Sequence, residues 1–292
     1  MTMMNRSRAL FAALVLLAAL APAAAHAQTF EGPRPMALGG AYRAVASGNE
    51  AIYYNPAGLS LYQQRYNVDV GWTCNPEGWL NVFNGSIIDS VTNPPLGAGL
   101  GFTYYLGDTA VAPKHELQGY RLDLAFSYPM ARMLLWGIDG KFVNLDIDNR
   151  GGAIYAMTAD MGLIWIVSKF VRAAVVGHNL VPISRPELPA QSAVGVSMGR
   201  EQGFQLSVDA VINYLAKDNV KGTYHAGLEF MAGDILALRV GYAFDQVLND
   251  TQFVTTGIGL VAPRVGLEFG FKQNLTITDD RYFSLALRIF GG

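Results

Sequence analysis

The chain has 292 residues, of which 51% are apolar, 15% charged and 11% aromatic, with four His, a single Cys and a formal charge of -2. Charged residues fall well below the roughly 25% usual for soluble domains, and the near-neutral balance supplies no basic footprint, so a solvated cytosolic protein and a nucleic-acid binder are both disfavoured. So few His and Cys residues leave little material for a metal centre or an activated nucleophile, and the sequence is read as a non-enzyme with no cofactor.

Residues 1–27 read as a secretory signal peptide. Arg6 and Arg8 form a positive start, Ala9 to Leu20 an apolar stretch too short to span a bilayer, and Ala25-His26-Ala27 a small-x-small cleavage site. Removing this leader leaves 19 basic against 23 acidic residues. Cys74 then stands alone, which gives no disulfide framework.

Residues 28–65 do not alternate. Ala37-Leu38-Gly39-Gly40-Ala41-Tyr42 is a small-residue stretch able to pack closely, and Asn55-Pro56-Ala57-Gly58-Leu59 has the chemistry of a turn. A segment of this kind ahead of a barrel is expected in the lumen as a hatch or plug. Arg34 and Arg43 are its expected partners for charges on the wall.

From Tyr66 onward apolar residues recur with period two and no later run reaches the ~18 residues of a membrane helix, so any membrane residence must be by strands. Candidate strands lie near 66–72, 79–89, 96–106, 120–128, 134–145, 153–166, 170–179, 191–198, 204–213, 225–230, 235–244, 253–260, 265–273 and 282–290. The expected fold is therefore an all-β transmembrane antiparallel barrel over 66–292 with about 14 strands. The segments 79–89 and 191–198 alternate least clearly, so 12 is the alternative count. Connections alternate between shorter and longer, the asymmetry of periplasmic turns and extracellular loops. A secreted β-sandwich has no reason to show it, and tolerates fewer charges on its inner face.

Those inner charges include Arg121, Asp123, Asp139, Lys141, Asp160, Glu229 and Arg239, joined by Asp209, Glu268, Lys272 and Arg288. Mixed signs across adjacent strands predict ion pairs between strands, such as Arg121 and Asp123 with Asp139 and Lys141, and between hatch and wall. His115, His178 and His225 carry no recognisable catalytic spacing.

The stretches 34–46 and 51–59 resemble the N-terminal hatch of the FadL-like superfamily of outer-membrane proteins. Within it, Ala159-Asp160-Met161-Gly162-Leu163, Gly177-His178-Asn179-Leu180 and Gly227-Leu228-Glu229-Phe230 are most similar to the PorV/PorQ branch. The resemblance covers nearly the whole chain after the leader. It implies a Gram-negative outer-membrane barrel that moves hydrophobic small molecules, such as long-chain fatty acids, past the hatch and sideways through a gap in the wall. Asn55, Pro56 and Ala57 would then sit at the hatch turn beside that wall. PorV-like members imply an alternative, a docking barrel that partners protein secretion machinery. The discriminator is a continuous apolar pocket joining the loops to the hatch, which favours transport, against a solidly packed lumen, which favours the docking barrel. The partners expected are outer-membrane lipid, a hydrophobic ligand and the barrel assembly machinery, which would read the aromatic-ended strand Tyr282 to Phe290.

Overall fold

The computed structural model describes residues 31–61, 66–108, 116–147, 153–181, 183, 188–214, 221–248 and 250–291. The proposed leader, the segment 62–65 and His115 lie outside the described residues.

Fourteen antiparallel strands close into a ring in which each pairs with its sequence neighbours and the first meets the last. They are β1 (Tyr66–Asn75), β2 (Leu80–Asp89), β3 (Gly97–Asp108), β4 (Glu116–Ala131), β5 (Leu134–Ile147), β6 (Ile154–Ser168) and β7 (Val171–His178). The second half is β8 (Gln191–Gly199), β9 (Phe204–Asn213), β10 (Gly222–Ala232), β11 (Leu236–Asp245), β12 (Thr251–Val261), β13 (Val265–Asn274) and β14 (Arg281–Gly291). The count of 14 stands against 12, and β2 and β8 are full members of the ring. Most expected boundaries agree within about two residues. β4 and β10 extend further, because Glu116 to Gly119 and Gly222 to Tyr224 find ladder partners in β3 and β9 that their own weak alternation does not advertise.

Alternation explains the wall. On β12, Thr251, Phe253, Thr255 and Gly257 turn inward while Val254, Ile258 and Leu260 turn outward, so one strand supplies a mixed inner and an apolar outer face. Tyr128, Trp165, Phe204 and Phe230 stand outward near one rim, and Trp72, Tyr155, Tyr224 and Tyr242 near the other. Connections at the first rim are 90–96, 132–133, 169–170, 200–203, 233–235 and 262–264; those at the second are mostly longer, up to 179–190. No described helix is long and apolar enough to cross a membrane.

Residues 31–61 lie inside the ring as a short helix (Pro33–Ala37), a 3-10 turn (Gly48–Glu50), a helical turn (Ala51–Tyr54) and a second 3-10 turn (Pro56–Ser60). Met36, Leu38, Tyr42, Ile52 and Tyr53 are almost wholly buried there. Inward glycines make the space. A methyl group at Gly270 would collide with Pro33, at Gly257 with Ala37, at Gly241 with Gly39 and at Gly227 with Leu38. On the opposite side, Gly97 and Gly99 face Leu59 and Ile52, Gly101 faces the Tyr53 hydroxyl, and Gly137 and Gly162 face Pro56 and Asn55. A belt of missing side chains thus lets the backbone of the segment approach the wall nearly all round.

Candidate functional site

The segment is held by two kinds of contact. Toward β9–β14 ion pairs add to the close glycine contacts described above. Arg34 donates to both oxygens of Glu229, at 3.0 and 2.8 Å, and to the Ser47 hydroxyl at 3.0 Å. Arg239 pairs with Glu229 and Glu268, so Arg34 joins a wall network already stretching over β10, β11 and β13. Asp209 on β9 accepts from the backbone N–H groups of Tyr42 and Arg43 at 2.8 and 2.9 Å and from the Arg43 guanidinium at 3.2 Å. Lys272 meets Glu31 at 2.8 Å. Arg288 on β14 pairs with Asp69 of β1 at 2.8 Å and with Glu50 of the segment at 3.1 Å. Each charge is largely sequestered from water, where an unpaired ion is costly, so removing one partner is far more damaging than at a surface. Burial pushes the Tyr42 phenol up to about 12, which keeps its proton in place for the bond to the Ser47 carbonyl at 3.1 Å.

Toward β3–β6 the contacts are steric and neutral. The Asn55 side chain accepts from the Ala57 N–H at 3.1 Å and donates to the carbonyls of Arg43 and Leu163 at 3.0 and 3.3 Å, joining the turn to itself, to the segment and to β6. Pro56 and Ala57 fill the notch left by Gly137 and Gly162, which are register partners on β5 and β6. Ser127 of β4 donates to the Ala57 carbonyl at 2.9 Å. Gly39 and Gly40, at φ of 64° and 85°, turn the chain where it passes Tyr242 and His225. The side chains Arg34 and Arg43 and the turn 55–59 are therefore all in contact with the wall or with its partners in the segment.

Among the wall charges, the pairing differs from that expected. Asp123 lies in register with Lys141, yet Arg121 pairs along its own strand with Asp123 at 2.9 Å and stacks over Tyr53 at 4.9 Å. Lys141 reaches instead to Asp160 at 2.5 Å, which also meets the His178 ring at 2.5 Å and the Asn179 N–H at 2.8 Å. Among the described residues Asp139 has no hydrogen-bond partner for either carboxylate oxygen despite full burial. The expected cross-strand pair to Asp139 is absent because Arg121 has the closer Asp123 and the aromatic face.

His178 and Asn179 mark an irregularity in the ring. The β6–β7 ladder covers only 161–168 of β6, and residues 154–160 run beyond the end of β7. There the chain turns at Asn179, at φ of 53°, and among the described residues one backbone bond continues, from Leu180 N–H to the Ala159 carbonyl at 2.8 Å. Tyr155 and Met157 point outward from this edge, 70% and 73% exposed. Their inward neighbours Ile154 and Ala156 belong to an apolar cluster with Leu145, Ile147, Leu188 and Ile183. The stretch Gly177-His178-Asn179-Leu180 stood out in the sequence as part of a family resemblance, but not as the place where the ladder to β6 ends.

The segment separates two cavities. The one at the longer-connection rim, about 220 Å³, is bordered by Tyr53, Tyr54, Tyr105, Val211, Phe253 and Leu248 together with polar and charged groups, among them Glu31, Arg43, His178, Gln191, His225, Asp245 and Lys272. The one at the shorter-turn rim, about 410 Å³, is bordered mainly by charged groups, including Arg34, Glu229, Arg239, Glu268 and Arg288. Asn55, Pro56 and Ala57 border neither, while Gly58 and Leu59 border the second. Among the described residues no cluster of His, Cys, Asp and Glu could hold a metal ion.

No protein-family model matches the sequence, and no curated protein matches it at a significant level. Solved structures do match in fold. The CymD monoaromatic hydrocarbon channel aligns with a TM-score of 0.69 at 14% identity, covering 91% of this chain and 98% of that one. A Pseudomonas aeruginosa FadL homologue aligns with a TM-score of 0.64 at 11% identity, covering 92% and 99%. The Ralstonia pickettii toluene transporter TbuX gives 0.62 at 14% identity, covering 89% and 97%. The chain thus shares the barrel fold of these solved structures.

Proposed function

We propose that the protein is an outer-membrane channel for hydrophobic small molecules, with residues 1–27 a cleaved signal peptide, 28–65 a hatch and 66–292 the membrane-spanning wall. The observation that carries this reading is the chamber beneath the longer connections, where tyrosines, a phenylalanine and aliphatic side chains offer apolar surface beside the charged Glu31, Arg43, Asp245 and Lys272. An apolar solute gains free energy on leaving water for such a surface. At about 220 Å³ the chamber is smaller than the roughly 300–1,000 Å³ of sites for drug-sized ligands, which favours a compact molecule such as a single-ring hydrocarbon over an extended fatty acyl chain. The aromatic rims and apolar outer wall support the membrane setting, with the longer connections outside the cell and the shorter turns in the periplasm. Insertion would depend on the barrel assembly machinery reading β14.

The hatch lies below the chamber, so passage directly downward leads to the charged cavity, an unfavourable medium for an apolar solute. The edge of β6 above Asp160 offers the sideways route, because its inner side is apolar and its ladder to β7 has ended. The test is uptake by proteoliposomes containing the full chain. Toluene-sized aromatics should enter faster than oleate, and a sugar should not enter above the protein-free rate. Equal exclusion of all three would defeat the channel reading. One feature favours the docking alternative of the PorV type: the hatch is clamped by ion pairs to several strands. Capture of a secretion partner together with absence of hydrocarbon entry is the outcome that reading requires.

A further inference from the structure

The two cations bordering the chamber beneath the longer connections are already matched, and the polar groups left over there are neutral. Arg43 meets Asp209 at 3.2 Å and Lys272 meets Glu31 at 2.8 Å. Asp245 adds a further acid, which accepts from the Val247 and Leu248 N–H groups at 2.8 and 3.0 Å. The chamber therefore offers no unspent positive charge to a carboxylate. Tyr54 borders it with only 6% of its surface exposed, and the Tyr54 hydroxyl has no hydrogen-bond partner among the described residues. The ring itself is fixed, edge-on to Tyr42 at 5.5 Å and facing the Arg43 guanidinium at 5.4 Å. His225 directs Nδ1 to the Gly39 carbonyl at 2.5 Å. A carbonyl can only accept, so Nδ1 carries the proton, and in the neutral ring Nε2 is an acceptor. It too has no partner among the described residues. Arg43 donates to the next carbonyl, that of Gly40, at 3.0 Å, so the Gly39–Gly40 turn brings His225, Arg43 and the Tyr54 ring to one corner of the chamber.

We infer that this corner selects a phenol, a single aromatic ring bearing a hydroxyl, an inference that rests on the channel reading and narrows it. The ligand oxygen accepts from the Tyr54 hydroxyl, and the ligand proton is donated to His225 Nε2. A hydroxyl satisfies both, whereas an ether or ketone only accepts and a hydrocarbon leaves both groups unpaired, which is costly away from water. Apolar surface for the ring adjoins the pair. Ala243 and Phe253 continue the row from His225 across β11 and β12, and both border the chamber.

The experiment compares four probes that share a tolyl ring: toluene, p-cresol, its methyl ether p-methylanisole, and the anion p-toluate. Each is dialysed to equilibrium against the full chain in detergent, with protein-free micelles of the same composition to subtract partitioning. p-Cresol should bind about tenfold more tightly than toluene, p-methylanisole should fall between them, and p-toluate should bind most weakly. Tyr54→Phe removes a hydroxyl that has no partner within the chain, so the heat-modifiable gel shift should persist while the p-cresol to toluene ratio falls to about threefold. Equal binding of p-cresol and toluene, p-methylanisole binding as tightly as p-cresol, tighter binding of p-toluate, or an unchanged ratio in the folded variant would each overturn the inference. The probe series on the unaltered chain carries the test if the variant does not insert. Toluene entry into proteoliposomes without a preference for p-cresol would overturn the phenol inference alone; absence of binding and entry for every probe would overturn the channel reading as well.

Discussion

The two sides of the lumen hold the same inner segment by different means. The arc from β9 to β14, continued into β1, adds charged contacts from Asp209, Glu229, Lys272 and Arg288 to the close glycine approach of residues 33–39. The arc from β3 to β6 receives residues 51–60 through missing side chains, at Gly97, Gly99, Gly101, Gly137 and Gly162, and through amide and hydroxyl bonds. Above the segment, that second arc is lined by Tyr105, Leu117, Val143, Leu145 and Ile154. That arc also buries Arg121 with Asp123 and Lys141 with Asp160, but these pair within the wall, so the ion pairs to the segment come from the other arc.

The comparison predicts the largest effect on the ionic side. Glu229→Ala leaves Arg34 without its carboxylate and Arg239 with only Glu268, and breaking a buried pair costs about 3–5 kcal/mol. Limited proteolysis should then cut within residues 31–50 while the gel shift of the folded wall remains; continued protection would remove the charge clamp from the account. On the steric side, Gly162→Val should cost about 1–3 kcal/mol by overpacking, because the added carbons enter the space of the Asn55 amide. The thermal midpoint of the gel shift measures it, and a midpoint equal to wild type would mean that the notch yields freely.

A similar or smaller loss, about 1–3 kcal/mol, is expected for Asn55→Ala with Pro56→Ala, which deletes bonds to Arg43, Leu163 and Ala57 and relaxes the turn. Hydrocarbon entry should change in that variant under the channel reading, and partner capture under the docking one. The smallest stability effect, within about 0.5 kcal/mol, belongs to Tyr155→Ala on the outward edge of β6. Its informative readout is the entry rate: a shift supports the β6 edge as the sideways route, and an unchanged rate directs attention to another part of the wall.

Much of this architecture was legible because period-two alternation is a direct consequence of strand geometry. The inward set Leu135, Gly137, Asp139, Lys141 and Val143 follows from parity alone once β5 is recognised. Arg34 and Arg43 stood out as unbalanced charges in an otherwise small and apolar stretch, and both face carboxylates across the lumen. Partner choice was not legible: Arg121 takes Asp123 from its own strand and Lys141 takes Asp160, outcomes that depend on rotamers and on the ring of Tyr53. Glu50 and Asp69 were missed, since neither lies in a motif, although Asp69 has inward parity on β1. The alternating Gly97, Gly99 and Gly101 offered a signal of a different kind, because a run of absent side chains on an inner face implies a backbone packed against it.

Arg288 has a consequence for assembly. It binds Asp69 across the seam where β14 meets β1, 219 positions apart in the chain, and it binds Glu50 of the inner segment at the same time. Such long-range pairing is the slowest to form, because most of the chain must be organised before the two ends can meet. The inner segment is synthesised ahead of the whole wall and offers a carboxylate to the last strand, so its removal is expected to slow ring closure. Shortening the chain from its beginning would therefore be felt first in the time the barrel takes to close, before any change in what the closed barrel admits.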